Sequence, residues 1–245
     1  MAEFTVVTSR DRPDLDDQAR AALRAVWPEF IFHDPVAAAH IGRVGDYFAD
    51  LDILLLDDGE VVAGGWGVPL HWDADPGTLP DGYDGALVSS VSAHENGTAP
   101  DTLSVMAAAV KTGLQGGGLA GRVLTALRER ALAAGLQRVI APVRPTLKTR
   151  YPLTPMADFA GWTRDDGLHL DPWVRTHQRL GASILGPAPR SMVITGAVAE
   201  WEEWAEMAFP QTGRYVVPMA LDLVEIDREQ DRGTYEETNL WMRHL

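Results

Sequence analysis

The 245-residue sequence contains no cysteine. That one absence excludes disulfides, thiolate metal sites and cysteine nucleophiles together. At this length the chain can bury a core without such staples. Long apolar runs are also missing. None approaches the ~20 residues of a membrane-spanning helix, so no membrane is expected as a partner. The opening residues, Met1-Ala-Glu-Phe-Thr-Val-Val, lack a basic segment followed by an apolar one, so no signal peptide is read there and a cytoplasmic location is expected. Positive charge is scarce: 21 Lys and Arg stand against 35 Asp and Glu, for a net charge of −14. An acidic chain of this kind repels nucleic acid on average, and none is expected as a partner. Internal repeats, low-complexity tracts and linkers are absent too, so residues 1–245 are read as one domain, with a core over about 3–185 and with 186–245 completing its sheet.

The basic residues that are present are concentrated. Lys111, Arg122, Arg128, Arg130, Arg138, Arg144, Lys148 and Arg150 share a segment with a single acid, Glu129, so it carries +7 while the remainder carries −21. Such an island suits a small anionic ligand or a solvated helix face. Around it the pattern reads as alternating strands and helices. Glu3–Val7 alternates as a strand, and Pro13–Ala25 reads as a helix with acids in its first turn. Val36–Asp50 reads as a second helix. Ile53–Leu56 and Val61–Val68 form a hairpin across Asp57-Asp58-Gly59-Glu60. Residues 69–101 read as an irregular excursion with a strand at Ala86–Val91. Thr102–Val110 is an apolar run suited to a central strand, Leu119–Ala134 is an amphipathic helix ended by Gly135, and Arg138–Val143 is a strand. Residues 102–143 thus make a strand–glycine loop–helix–strand unit, which implies a parallel or mixed sheet. Pro145–Leu170 is irregular. A short helix follows over Asp171–Leu180, with Asp171 as N-cap and Pro172 first. Beyond it come a strand at Ser191–Thr195, a helix at Val198–Ala208, a strand at Arg214–Val224 and a polar tail from Asp227.

The most informative stretch is Lys111-Thr-Gly-Leu-Gln115-Gly-Gly-Gly118-Leu-Ala-Gly121-Arg122. Successive glycines let the backbone curve and point several N–H groups into one concavity. A helix starting near Leu119 adds its positive dipole end, which makes a pyrophosphate site. Gly116, Gly118 and Gly121 match a dinucleotide fingerprint, G-x-G-x-x-G, but no acidic residue ends the next strand to hold a ribose; an NADP-dependent oxidoreductase, using Arg144, is one alternative. Gln115-Gly116-Gly117-Gly118-Leu119-Ala120 also fits every specified position of Q/R-x-x-G-x-G/A, the signature of the GNAT superfamily of N-acyltransferases, which the chain resembles from about Glu3 to Leu185. The resemblance implies an α/β fold with a mixed, largely antiparallel sheet, a splayed parallel pair, flanking helices and here a C-terminal extension.

It also implies the function: an acyl-CoA, acetyl-CoA foremost, as co-substrate and a small-molecule amine as acceptor, joined by direct attack on the thioester. Backbone amides of Gln115, Gly116, Gly117, Gly118, Leu119 and Ala120, with Gly121, would bind the pyrophosphate. Ala109 and Val110 would pair with the pantetheine, and Arg122 would reach a phosphate unless it is only a solvated helix residue. Relatives often carry a tyrosine acid in a helix ending Leu-Tyr-x-x-Leu-Gly-Phe. Here Thr176-His177-Gln178-Arg179-Leu180-Gly181-Ala182 puts His177 at that place, with Tyr151 as the substitute. Glu95 is the expected base, with His94 second; the pair is not a metal motif, since no second histidine stands at helical spacing, and no metal is expected. The missing tyrosine keeps open a degenerate domain that binds acyl-CoA without turnover. The segment beyond Leu185 leaves room for an acceptor site, a homodimer contact, or both.

Overall fold

A computed structural model describes residues 4–244. Glu3, expected to open the first strand, lies outside them. The strands form one sheet in the order β1-β2-β3-β4-β5-β9-β8-β7, with β6 on the free side of β9. These are β1 Thr5–Thr8, β2 Asp52–Asp57, β3 Glu60–Leu70, β4 Thr102–Val110, β5 Arg138–Val143, β6 Ser183–Gly196, β7 Gly213–Tyr215, β8 Val224–Asp227 and β9 Arg232–Arg243. Every pairing is antiparallel except β4 with β5. The β2–β3 hairpin turns on Asp58 and Gly59, at φ 49° and 85°, the left-handed pair that a two-residue turn demands.

Helices cover both faces. α1 Asp16–Leu23 packs on the outer hairpin, where Leu15, Leu54, Leu56 and Val61 are buried together. α2 Pro35–Phe48 and α3 Gly82–Glu95 cover one face of the centre, and α4 Leu119–Ala133 covers the other with α5 Met156–Phe159 and α6 Pro172–Arg179. The strands show why both faces must be covered. On β5, Val139, Ala141 and Val143 join the α4 side, while Ile140 joins the α2–α3 side. α7 Val198–Ala205 closes a separate core with Phe30, Trp201, Phe209 and Tyr235. The seat of α4 depends on Gly65 of β3: a Cβ there would lie 2.6 Å from Val123 Cγ1 and 2.6 Å from the Ala107 carbonyl. α4 ends as expected, with Gly135 at φ 81° and the Leu136 amide returned to the Ala131 carbonyl.

Three expectations are corrected. The strand expected at Ala86–Val91 is the middle of α3; its buried residues Ala86, Leu87, Ser90 and Val91 recur at helical spacing, which a window read for alternation misses. The strand expected over Arg214–Val224 breaks into β7 and β8, because Pro218 cannot donate to a ladder and Met219 takes φ 65°. The polar tail from Asp227 is the inner strand β9, paired along its length to β6 and, on its other side, to β8 and then β5. The irregular segment over 145–170 is anchored at Phe159, which is fully buried, and at Lys148, whose Nζ donates to the Tyr151 and Leu221 carbonyls.

Candidate active site

β4 and β5 hold together for only three pairs, Thr102 with Arg138, Leu103 with Val139 and Ser104 with Ile140. Beyond Ser104 they part. The cause lies on the other edge of β4: Trp66 pairs with Ala107 and Gly67 with Val105, so Met106 is an extra residue opposite none. A bulge of this kind bends its strand away from its neighbour. From Val105 to Val110 the edge of β4 that faced β5 therefore carries backbone groups with no strand partner. A ligand with amides of its own can pair with such an edge. Ala109 and Val110 lie on this segment, 9% and 8% exposed.

The chain then enters the glycine loop. Gly116 and Gly118 take φ 83° and 81°, and Gly118 is the N-cap of the 15-residue α4. No side chain caps this helix and no acid occupies its first turn, so its positive end is uncompensated among the described residues. Among them, too, no protein acceptor pairs with the amides of Gln115, Gly116, Gly117 or Gly118. A Cβ built on Gly116 or Gly118 would meet nothing within 4 Å, so the loop faces open space. Gln115 does more than present its amide. Its Oε1 accepts from the Gly113 amide at 2.8 Å and its Nε2 donates to the Val110 carbonyl at 3.2 Å, which braces the loop against the end of β4. Arg122, one turn into α4, lies with its guanidinium 4.9 Å from the centre of the Phe4 ring.

Inside the wedge between the parted strands is a cavity of about 340 Å³. Its walls are mostly apolar: Val105–Ala108 of β4 and Ala141–Val143 of β5, closed by Trp27, Trp66 and Trp173. Arg144, Glu237, Asn239 and His177 interrupt them. On the β9 side Glu237, fully buried, accepts from Arg144 Nε at 2.9 and 3.1 Å, from the Tyr235 hydroxyl at 2.8 Å and from Asn239 Nδ2 at 2.8 Å. Arg144 Nη2 is held by the Met219 carbonyl at 2.6 Å. On the opposite side stands His177 of α6, 1% exposed, its ring 4.4 Å from that of Trp173. Burial, and then the nearby His244, hold its pKa well below the usual histidine range, so the ring is neutral. Its Nε2 has no hydrogen-bond partner among the described residues.

The three expected catalytic residues are not brought together. His177 lines the cavity; Glu95 and Tyr151 do not. Glu95 ends α3 on the surface, bound by Arg43 at 2.9 Å and Tyr47 at 3.2 Å, and the Arg43 hydrogen bond lowers its pKa. Tyr151 is 38% exposed and packs edge-on against Trp162 at 4.8 Å. Sequence reasoning missed Arg144, Glu237 and Asn239 as a cavity group. Tyr235, Glu237 and Asn239 do recur at strand spacing, but polar side chains turned inward give no hydrophobic alternation to notice.

No family model matches the chain. It is 28% identical, across 98% of its length and 93% of the relative's, to the arginine N-acetyltransferase avaD of Aspergillus versicolor. Its fold is similar to that of the loading GNATL domain of CurA from Lyngbya majuscula, with a TM-score of 0.58, 15% identity and coverage of 99% and 97% of the two chains. It is also similar to the GphF GNAT-like decarboxylase in complex with isobutyryl-CoA, with a TM-score of 0.52, 17% identity and coverage of 76% and 88%. The parted parallel strands, the glycine loop and these likenesses define the class: the fold is the GNAT fold. The chain is thus similar along nearly its full length to an N-acetyltransferase, avaD, and shares its fold with GNAT-like domains.

Proposed function

We propose that this protein transfers an acetyl group, or a similarly short acyl group, from coenzyme A to an amine of a small basic acceptor of the arginine type. The observation that carries this reading is the continuity of three features: the unpaired edge of β4, the open amides of the glycine loop at its end, and the cavity at its side. The pantetheine adds to the free edge at Ala109 and Val110. The pyrophosphate takes the amides of Gln115–Gly121 at the α4 N-terminus, with Arg122 beside it. The thioester then lies by the cavity. The acceptor class is taken from the relative, whose name specifies arginine. The setting proposed is the cytoplasm, where coenzyme A thioesters are made and used.

The chemistry asks for orientation and proton management. Apolar walls disfavour an ammonium, so the acceptor amine sheds its proton on entering and attacks the thioester carbon as a free base. The C–N bond forms, the C–S bond breaks, the acylated nitrogen releases its surplus proton to solvent, and the sulfur leaves as a thiolate. His177 Nε2, buried and without a partner among the described residues, is the group in the cavity that can supply the thiolate's proton.

The test is thiol release from acetyl-CoA with L-arginine and a panel of other primary amines. Release above background with at least one basic amine is expected. Tight coenzyme A binding with no turnover on any amine favours the non-catalytic binding domain instead. Thermal stabilisation by NADPH rather than acetyl-CoA would return the oxidoreductase reading.

A further inference from the structure

His177 faces a difficulty in the role just given. A buried neutral imidazole is a weak acid: giving up its proton outright leaves an imidazolate, and starting as an imidazolium requires a charge that burial opposes. The structure holds a second ring that removes the difficulty. His244, directly after β9, has its Nε2 2.8 Å from Nδ1 of His177, with ring centres 4.9 Å apart. Its own amide donates to the Val139 carbonyl at 2.8 Å, which fixes it to the end of β5. His244 is partly exposed where His177 is sealed. The pair therefore runs from the partly exposed His244 to His177 in the cavity lining.

We propose that His244 is the outer half of a proton relay, passing a proton to Nδ1 of His177 as His177 Nε2 protonates the departing thiolate. The inference rests on the transferase reading and on His177 as its acid. The protons balance. Solvent gives one to His244 Nδ1, His244 Nε2 gives one to His177 Nδ1, and His177 Nε2 gives one to sulfur. Each ring exchanges one proton for another and only changes tautomer, so neither becomes charged in the buried site. The charged groups around the pair leave it neutral. Arg128 of α4 lies near His244 and, after burial, helps to lower its pKa to about 4. Arg144 and Glu237, the charged residues of the cavity wall, are paired with each other. His244 never touches substrate; it is a positioning residue that acts through His177.

The experiment uses the full chain, acetyl-CoA and L-arginine, or another amine that turns over, in single turnover. His177→Phe tests the acid itself and is expected to slow the reaction about 100-fold. His244→Gln separates relay from simple bracing, because its amide can still donate to His177 Nδ1 but cannot pass a proton on. We expect His244→Gln also to fall about 100-fold, with the KM for acetyl-CoA within about twofold of the parent. Added imidazole should restore the rate of His244→Ala by at least about tenfold. A parental rate in His244→Gln, with His177→Phe slow, overturns the relay and spares the acid. So does a folded, coenzyme-binding His244→Ala that imidazole cannot rescue. A parental rate in His177→Phe overturns the acid assignment, and no turnover of any amine by the unaltered enzyme overturns the transferase reading.

Discussion

Arg144, at the end of β5, reaches Glu237 on β9 with Nε 2.9 Å from one carboxylate oxygen and 3.1 Å from the other. The pair ties the last turn of the cavity wall to the strand that forms its floor. Glu237 is fully buried and the Arg144 side chain is 13% exposed, so neither charge has water to fall back on. Removing one partner alone strands the other. Arg144→Ala is expected to cost about 3–5 kcal/mol of unfolding free energy. The double replacement Arg144→Met with Glu237→Met should cost less than the two single changes summed. Urea denaturation of the parent and these variants measures both; a loss below about 1 kcal/mol for Arg144→Ala would mean the pair is not holding the wall.

The glycine loop makes a different demand. Gly118 sits at φ 81° with open space where a side chain would project. Gly118→Ala should therefore cost about 1–2 kcal/mol of backbone strain, with only a small effect on ligand contact. Gly118→Glu adds a carboxylate where the pyrophosphate is proposed to lie, and coenzyme A affinity should drop at least about tenfold more than in the alanine variant. Isothermal titration with coenzyme A distinguishes the two; equal affinities would remove the loop from the binding site.

Gln115 is expected to matter through its side chain. Gln115→Ala removes the brace to the Gly113 amide and the Val110 carbonyl, two bonds of about 1 kcal/mol each. Coenzyme A binding should weaken by about three- to thirtyfold, while the melting temperature changes little because the loop is exposed. Gln115→Glu keeps the acceptor for the Gly113 amide and loses the donor to Val110. Coenzyme A titration of that variant is the sharper check: affinity equal to the parent's would count against bracing.

Asp84, beside Asp34, carries a pH dependence with a definite sign. Asp34 caps α2 through the Val36 amide at 2.8 Å, Asp84 accepts from the Val193 amide at 3.2 Å, and the other oxygen of each receives no N–H donor among the described residues. Burial, then a hydrogen bond to Asp34 and its charge, push the Asp84 pKa up to about 9 from the usual 3.8. The folded state thus holds this proton more tightly than the unfolded state. Its contribution is complete below about pH 4 and is lost as pH rises toward about 9, by at most about 1.4 kcal/mol per pH unit. Asp84→Asn cannot titrate, so its stability should fall less steeply between about pH 6 and pH 9. Parallel pH–stability curves for the two proteins would exclude a shared proton at this site.

Glu95 and Tyr151 serve as a control for the geometry. Both lie outside the cavity lining, Glu95 on Arg43 and Tyr151 against Trp162. Glu95→Gln and Tyr151→Phe should keep kcat/KM within about threefold of the parent, far from the ~100-fold or greater loss of a working acid or base. A larger fall in either variant would bring that residue back into the reaction.

Local signals made much of this protein legible. The Asp58-Gly59 turn, the Asp171-Pro172 helix start and the run Gln115–Gly118 each need a particular residue type at a particular backbone angle or hydrogen bond, so they can be read without knowing the rest of the fold. The central unit from β4 to β5 was readable for the same reason. α3 and β9 were not. One hides its helical period among Gly, Ser and Asp, and the other turns Tyr235, Glu237 and Asn239 inward, where their burial is tolerable only because Arg144 and Ser191 arrive from other strands.

The sequence by itself determined the glycine loop and the helix that follows it, because both rest on short-range backbone and capping chemistry. Only the tertiary structure decided what these serve. The Met106 bulge parts β4 from β5. The return of β9 then brings Glu237 to Arg144 across 93 positions of chain and sets His244 against His177 across 67. Contacts of that span depend on how strands cross in space, and no local pattern of residues encodes them.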